Sequence, residues 1–139
     1  FEKGTPPDSI KQAQDAIRWA DHLVIFYPLW LGSMPALLKA FLEQVFRPGV
    51  AFEYRAQGKM AKKLFTGKSA RIVVTMGMPA LVYRWFFLAH SLKSLERNIL
   101  AFCGIKPTRA TLIGQVEGMN ERQRASWLDE MRGLGDVGK

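Results

Sequence analysis

The sequence has few of the features that mark secreted, membrane-spanning or metal-dependent proteins. It contains a single cysteine, Cys103, which cannot form an internal disulfide and lies in an apolar run typical of a small buried hydrophobe. The longest apolar run, residues 23–31, is far shorter than the roughly 20 residues that a membrane-spanning helix requires. No cluster of His, Cys, Asp or Glu has the spacing of metal ligands. We therefore expect a cytoplasmic protein with no transmembrane segment and no metal site.

Acidic residues are scarce as well: 12 Asp and Glu stand against 20 Lys and Arg, for a formal net charge of +8. Most of the excess lies in one segment, at Lys59, Lys62, Lys63, Lys68 and Arg71. A basic surface supplies the non-specific part of nucleic-acid binding, but this segment has no recognisable nucleic-acid motif. We interpret it as a solvated loop and expect no nucleic-acid partner. Attraction of phosphate-bearing nucleotides or acidic partners is the functional alternative.

Short apolar runs predict three strands in a single domain over residues 1–139. The runs are 23–27, 71–75 and 109–113. The first is a continuous apolar run, typical of a strand that is covered on both faces of a parallel sheet. Residues 51–54 are a weaker candidate for a short strand or a lid.

Helical patterns lie before, between and after these strands. They predict a first helix capped by Thr5, a second over 35–46, a third over 83–102 stopped by Gly104, and a last over 119–132 capped by Asn120. Residues such as Thr and Asn accept hydrogen bonds from the first free amides of a helix, and glycine adopts the left-handed conformation that ends one.

The alternation of strands and helices predicts an α/β fold, with a parallel sheet and helices on both faces. Three parallel strands form a poor independent sheet. We therefore expect that the chain lacks the N-terminal part of its domain, on the order of 40 to 60 residues for a missing strand, helix and second strand.

Residues 20–46, followed by 75–79 after a strand and Tyr83 at a helix start, closely resemble the flavodoxin-like NAD(P)H:quinone oxidoreductases, the DT-diaphorase-like group. The likeness spans about 5–114. It implies a flavodoxin-like three-layer sandwich with strand order 2-1-3-4-5, of which the first two strands are absent from this chain. It also implies a bound FMN or FAD, and two-electron transfer from NAD(P)H to a quinone or similar acceptor.

The resemblance places the flavin against two loops that follow strands. The first loop is Pro28, Leu29, Trp30, Leu31 and Gly32, and the second is Thr75, Met76, Gly77 and Met78. A flavin needs a hydrophobic wall and backbone donors aimed at its pyrimidine edge. Trp30 and Leu31 occupy the place of the platform on which nicotinamide or quinone stacks. The alternative for Trp30 is a core residue at a strand end. Pro79 stands where diaphorase-type relatives carry further Gly and Ser, and it removes one possible donor.

Tyr83 and His90 are the candidate catalytic residues, as a pair that handles protons at the flavin's oxygen edge. The family has a tyrosine at the position matching Tyr83 and a histidine a few residues on, one position before His90. A lone histidine on an apolar helix is otherwise structural. His22 has no partner by spacing, and we expect it at the surface.

These observations predict a flavin-dependent NAD(P)H:quinone oxidoreductase that works by a ping-pong cycle. An electron-carrier or regulatory flavoprotein, such as an ancillary subunit of a transporter, is the alternative. A basic nucleic-acid-binding module is a third class.

The consecutive residues Trp85, Phe86, Phe87 and Leu88 make more of the helix circumference apolar than one face of a sheet can cover. The resemblance implies a homodimer.

Overall fold

The computed structural model describes residues 4–55 and 61–138, so Lys59 lies outside the described residues. The strands are β1 His22–Pro28, β2 Phe52–Glu53, β3 Lys62–Lys63, β4 Ser69–Thr75 and β5 Thr108–Ile113. A parallel sheet has the spatial order β1-β4-β5. This confirms the predicted parallel sheet, and its order is that of the last three strands of the implied 2-1-3-4-5 arrangement. The predicted short strand at 51–54 is β2, which pairs with β3.

Helices connect these strands. They are α1 Asp8–Trp19, α2 Ala36–Val45, a π-helical turn Val82–Phe86, the contiguous segments His90–Ser94, Leu95–Leu100 and Ala101–Cys103 that we call α3, a 3-10 turn Val116–Gly118, and α4 Glu121–Asp136. Among the helices of the described residues, none is long and apolar enough to cross a membrane.

One predicted helix cap is confirmed and another is wrong. Asn120 caps α4, because its side chain accepts from the Gln123 amide at 2.9 Å and the Gln123 side chain accepts from the Asn120 amide at 3.0 Å. Thr5 does not cap α1, which begins after Pro7 with no side-chain cap. The reason is that Pro6 precedes a proline and therefore favours extended backbone, which moves the helix start two residues along.

The main hydrophobic cluster lies on one face of the sheet, and Val73 of β4 is buried on the other face. Ala70, Ile72 and Val74 of β4 pack in this cluster with Tyr27 of β1, and the apolar faces of α1, α2 and α3 cover them. The prediction that β1 is covered on both faces is wrong, since Val24 is 53% exposed and Phe26 60%. Alternate residues of a strand point to opposite faces, so the covering helices reach only one set of β1 side chains.

The predicted helix over 83–102 is interrupted. Leu88 (φ 54°) and Ala89 (φ 49°) are left-handed and separate the π-helical turn from α3. Left-handed backbone costs roughly 1–2 kcal/mol per residue, so packing around it must offset that cost. The predicted C-terminal stop is confirmed at Gly104, with φ of 102°.

The basic segment is less solvated than predicted. The Lys63 Nζ donates to the Ala101 carbonyl at 2.8 Å, and the Lys68 Nζ donates to the Arg18 carbonyl at 2.7 Å and to that of Ala20. These lysines therefore satisfy carbonyls at the C-terminal ends of α3 and α1, where the helix dipole favours positive charge. Arg71 is also buried and donates to Thr111 Oγ1 at 2.9 Å.

Cys103 is buried, as predicted. Loss of solvation raises the pKa of its thiol to about 12, although nearby Lys63 partly opposes this. The thiol is therefore unreactive at neutral pH.

Candidate functional site

The two predicted flavin loops lie side by side. Pro28 pairs with Thr75 at the end of the sheet, and the Leu29 amide donates to the Thr75 carbonyl at 2.7 Å. Because β1 and β4 are parallel neighbours, the loops that follow them leave from the same edge. Ligands of open α/β sheets bind at this carboxyl edge.

The first loop is a tight turn that exposes its apolar side chains. Trp30 and Ser33 exchange two backbone hydrogen bonds, each of 2.9 Å, around Leu31 (φ 48°) and Gly32 (φ 77°). Positive φ at both central residues identifies a type I′ turn. Trp30 is 63% exposed and Leu31 fully exposed, so the interpretation of Trp30 as a core residue is wrong. Within the described part of the chain, no backbone hydrogen bond uses the amides of Leu31 or Gly32.

The second loop is anchored at its first residues and open after them. Met76 is buried, and its amide donates to the Ile113 carbonyl at 2.9 Å. Gly77 is exposed, and neither its amide nor that of Met78 takes part in the backbone hydrogen bonds of the described residues. A Cβ on Gly77 would meet only the Glu117 side chain, at 3.7 Å. The chain itself leaves room for a side chain at this glycine, so any strict need for glycine must come from a bound molecule.

The sequence did not predict a role for Gly114, whose backbone packs against the backbone of the second loop. A Cβ at this position would lie 2.4 Å from the Ala80 nitrogen and 2.7 Å from the Met78 carbonyl oxygen. The Gln115 amide also donates to that oxygen, at 3.1 Å. The available clue was a glycine immediately after the last apolar residue of β5.

Tyr83 is held inside the protein. Its side chain is 2% exposed, and its Oη lies 2.7 Å from Ser91 Oγ and accepts from the Leu92 amide at 3.2 Å. Leu92 is the third residue of α3, whose N-cap, Ala89, has no side-chain oxygen to offer. The Tyr83 hydroxyl therefore takes the place of a helix cap, and the Tyr83 carbonyl also accepts from the Ala89 amide at 3.0 Å.

A second buried phenol, Tyr27, completes what we call the hydroxyl cluster of Tyr27, Tyr83 and Ser91. Tyr27 is the last-but-one residue of β1, and its hydroxyl is buried with no hydrogen-bond partner within the described residues. Burial raises the pKa of Tyr27 above its usual value, and the neighbouring Tyr83 adds to this. The Ser91 hydroxyl lies close enough to Tyr27 to oppose the rise, although it makes its well-formed hydrogen bond to Tyr83. The sequence did not predict this cluster, because its members come from three separate elements.

The two histidines lie elsewhere. His90 is exposed, and within the described residues the Tyr83 hydroxyl contacts Ser91 and the Leu92 amide instead of the His90 ring. Successive residues of a helix point in different directions, so Ser91 rather than His90 faces Tyr83. The expectation of a surface position for His22 is wrong, because it is half-buried and its Nδ1 lies 2.7 Å from Ser69 Oγ.

A cleft of about 550 Å³ opens beside the first loop, between the turn at Trp30, the start of α2 and α3. Its walls include Trp30, Leu31, Met34, Ile99 and Ser91. They are mainly apolar, and Lys39, which forms an ion pair with Glu43, supplies a positive charge at the rim. Such a surface suits a flat aromatic molecule with a few polar groups. Among the described residues, no three His, Cys, Asp or Glu side chains come together to hold a metal ion.

The flavodoxin-like fold family matches residues 2–133. The chain belongs to this family. It is 28% identical over 127 residues to an uncharacterized NAD(P)H oxidoreductase of Haemophilus influenzae, covering 91% of this chain and 62% of that protein. It is 35% identical over 114 residues to an FMN-dependent NADH:quinone oxidoreductase of Hahella chejuensis, covering 73% of this chain and 52% of that protein.

A solved structure supports the same assignment. The crystal structure of Smu.1420 from Streptococcus mutans superposes with a TM-score of 0.78 at 31% identity, covering 92% of this chain and 66% of that one. The resemblance to flavodoxin-like oxidoreductases is thus confirmed at the level of family and fold. The chain spans between half and two thirds of the length of these two curated relatives.

Proposed function

We propose that this chain is part of an FMN-dependent NAD(P)H:quinone oxidoreductase. The observation that carries the proposal is the meeting of two open loops at the carboxyl edge of β1 and β4, with free backbone amides and an exposed apolar turn side by side. The family and the FMN named for the Hahella relative add support. The names of the Haemophilus and Hahella relatives do not mention FAD, the other flavin that the sequence suggests.

The residues of the site fit a flavin. Pro28, Leu29, Trp30, Leu31 and Gly32 would line the ring, and Thr75, Met76, Gly77 and Met78 would face its pyrimidine edge. Of these, the amides of Leu31, Gly32, Gly77 and Met78 are the ones left open for a ligand within the described residues. Fixed donors of this kind stabilise negative charge where it develops. The bound flavin would supply hydride transfer, while the chain supplies position and electrostatics.

The exposed Trp30 and Leu31 would provide one platform, used in turn by nicotinamide and quinone. A single stacking place makes the two substrates exclude each other, which is the basis of the proposed ping-pong cycle. Tyr83 holds a proton at Oη and is the first candidate to donate it. His90, with its exposed ring, is the second candidate.

We further propose a homodimer in the cytoplasm. Trp85 is 71% exposed and Phe86 78%, in the aromatic segment that the break before α3 leaves outside the core. Exposed apolar patches of this kind mark interaction surfaces. Light scattering of the full-length protein should give twice the monomer mass, and a monomer at micromolar concentration would contradict the dimer.

The cytoplasmic location is supported by the single cysteine, which is buried and is typical of a protein in a reducing compartment.

The test of the function is the absorption spectrum of the purified full-length protein, followed by oxidation of NADH and NADPH with and without a quinone. We expect noncovalent FMN and quinone-dependent turnover. Colourless protein that takes up neither FMN nor FAD would overturn the proposal.

A regulatory or electron-carrying flavoprotein is the second candidate, and the same exposed aromatic segment favours it as a docking surface for another protein. Bound flavin with negligible quinone turnover and a tight protein partner would identify this alternative.

A further inference from the structure

We propose that Ser91, and not His90, is the residue that positions Tyr83 and connects its buried hydroxyl to the cleft at the Trp30 turn. The inference rests on the proposed function, since it concerns how protons reach the group expected to donate them there.

The first argument is accessibility. Tyr83 is almost fully buried, so its hydroxyl has little direct contact with bulk water. Ser91 is half-buried, and it both lines the cleft and lies 2.7 Å from Tyr83 Oη. That distance is the usual one for a good hydrogen bond between two hydroxyls. Ser91 is thus the link between the cleft and the phenol.

The second argument is the arrangement of donors and acceptors. A hydroxyl has one proton and two lone pairs. The Leu92 amide occupies one acceptor position of Tyr83 Oη, which leaves its proton and its second lone pair for Ser91. The Tyr83–Ser91 hydrogen bond can therefore run in either direction without breaking the bond to Leu92.

The proton step that follows is balanced. If an acceptor bound in the cleft takes the Ser91 proton, the Tyr83 O–H bond would break and its proton would pass to Ser91 Oγ. Water in the cleft would then give a proton to Ser91 Oγ, and the proton that Ser91 received would return to Tyr83 Oη, leaving the conjugate base of that water in the solvent. Both side chains end in their starting states, and the net change is one proton moved from water to the acceptor. The Leu92 N–H continues to donate to Tyr83 Oη and stabilises the charge that develops on it.

The experiment compares Ser91→Ala with Ser91→Thr, which keeps a hydroxyl, and with Ser126→Ala as a control. Ser126 is an exposed serine of α4 and is not among the residues that line the cleft. Stopped-flow measurements would follow flavin reduction by NADH in H₂O and D₂O. FMN fluorescence would measure affinity, and hydrogen exchange of the Leu92 amide would report the hydrogen bond to Tyr83.

We expect Ser91→Ala to slow reduction about tenfold and to change the solvent isotope effect. The loss is smaller than the roughly 10²–10⁴-fold that a general acid contributes, because cleft water can partly replace the missing hydroxyl. FMN affinity should stay within about twofold of wild type and the Leu92 amide should remain protected, because the hydroxyl cap from Tyr83 is retained. Flavin in the Ser91→Thr and Ser126→Ala variants should be reduced at close to the wild-type rate. In a Tyr83→Phe background, Ser91→Ala should have no further effect.

Three results would overturn the inference: a Ser91→Ala rate and isotope effect equal to wild type, an effect that persists in Tyr83→Phe, or loss of Leu92 protection, which would mean that Ser91 acts on the fold. Each of these leaves the proposed function intact if the wild-type protein turns over. A wild-type protein that binds no flavin contradicts both proposals.

Discussion

Gly114→Ala should damage the candidate flavin site through the backbone beneath it. The added Cβ would lie 2.4 Å from the Ala80 nitrogen and 2.7 Å from the Met78 oxygen, both backbone atoms that cannot rotate away. Either the second loop or the backbone at Gly114 must therefore move. Forcing an extra methyl into a well-packed place costs about 1–3 kcal/mol. If the second loop takes up the whole shift, FMN affinity should fall by roughly 5- to 150-fold.

Gly118→Ala is the matched control, because a Cβ there meets nothing within 4 Å and the backbone φ is ordinary. Urea unfolding and FMN titration of both variants separate loss of stability from loss of binding. We expect Gly114→Ala to lower one or both, and Gly118→Ala to change neither by more than about 0.5 kcal/mol. A Gly114→Ala protein that unfolds and binds FMN as the wild type does would refute this account of the loop.

Three further predictions follow from the site and the core. Gly77→Ala should leave the free energy of unfolding unchanged, since the new Cβ makes only ordinary contact, yet it should weaken FMN binding if the ligand approaches the backbone; equal FMN affinity would argue against that approach. Tyr83→Phe should retain FMN but slow its reduction in stopped flow, and it should lower stability by about 0.5–2 kcal/mol because the Leu92 amide loses its cap; reduction at the wild-type rate would reassign Tyr83 to a purely structural role. The raised pKa of Cys103 means that the folded state favours the protonated thiol. The contribution of this thiol to the free energy of unfolding should therefore be complete below pH 9 and lost as pH rises toward 12. A Cys103→Ala variant whose unfolding has the same pH dependence between pH 9 and 12 would contradict this prediction.

The elements that depend on nearby residues could be predicted from the sequence. The apolar runs identified β1, β4 and β5 to within two residues at each end, and Asn120 and Gly104 were identified as helix boundaries. Helix caps and strand periodicity act over a few residues, so a linear pattern contains them. The meeting of the two loops at one edge follows from the parallel pairing of neighbouring strands, which the alternation of elements also predicts.

The interior arrangement of the site depends on contacts between distant positions. Nothing in the local sequence distinguishes Ser91 from His90 as the partner of Tyr83. The partner depends on the rotation of α3 relative to the turn before it, and the left-handed residues Leu88 and Ala89 connect the two.

The sequence by itself determined the order of strands and helices, the Asn120 cap of α4 and the chemical character of the loops, because these depend on local periodicity and hydrogen bonding. Only the tertiary structure decided that Trp30 is exposed, that Phe26 lies on a bare face, and that Tyr27 comes beside Tyr83. Burial and the pairing of distant polar groups are properties of the packed chain as a whole.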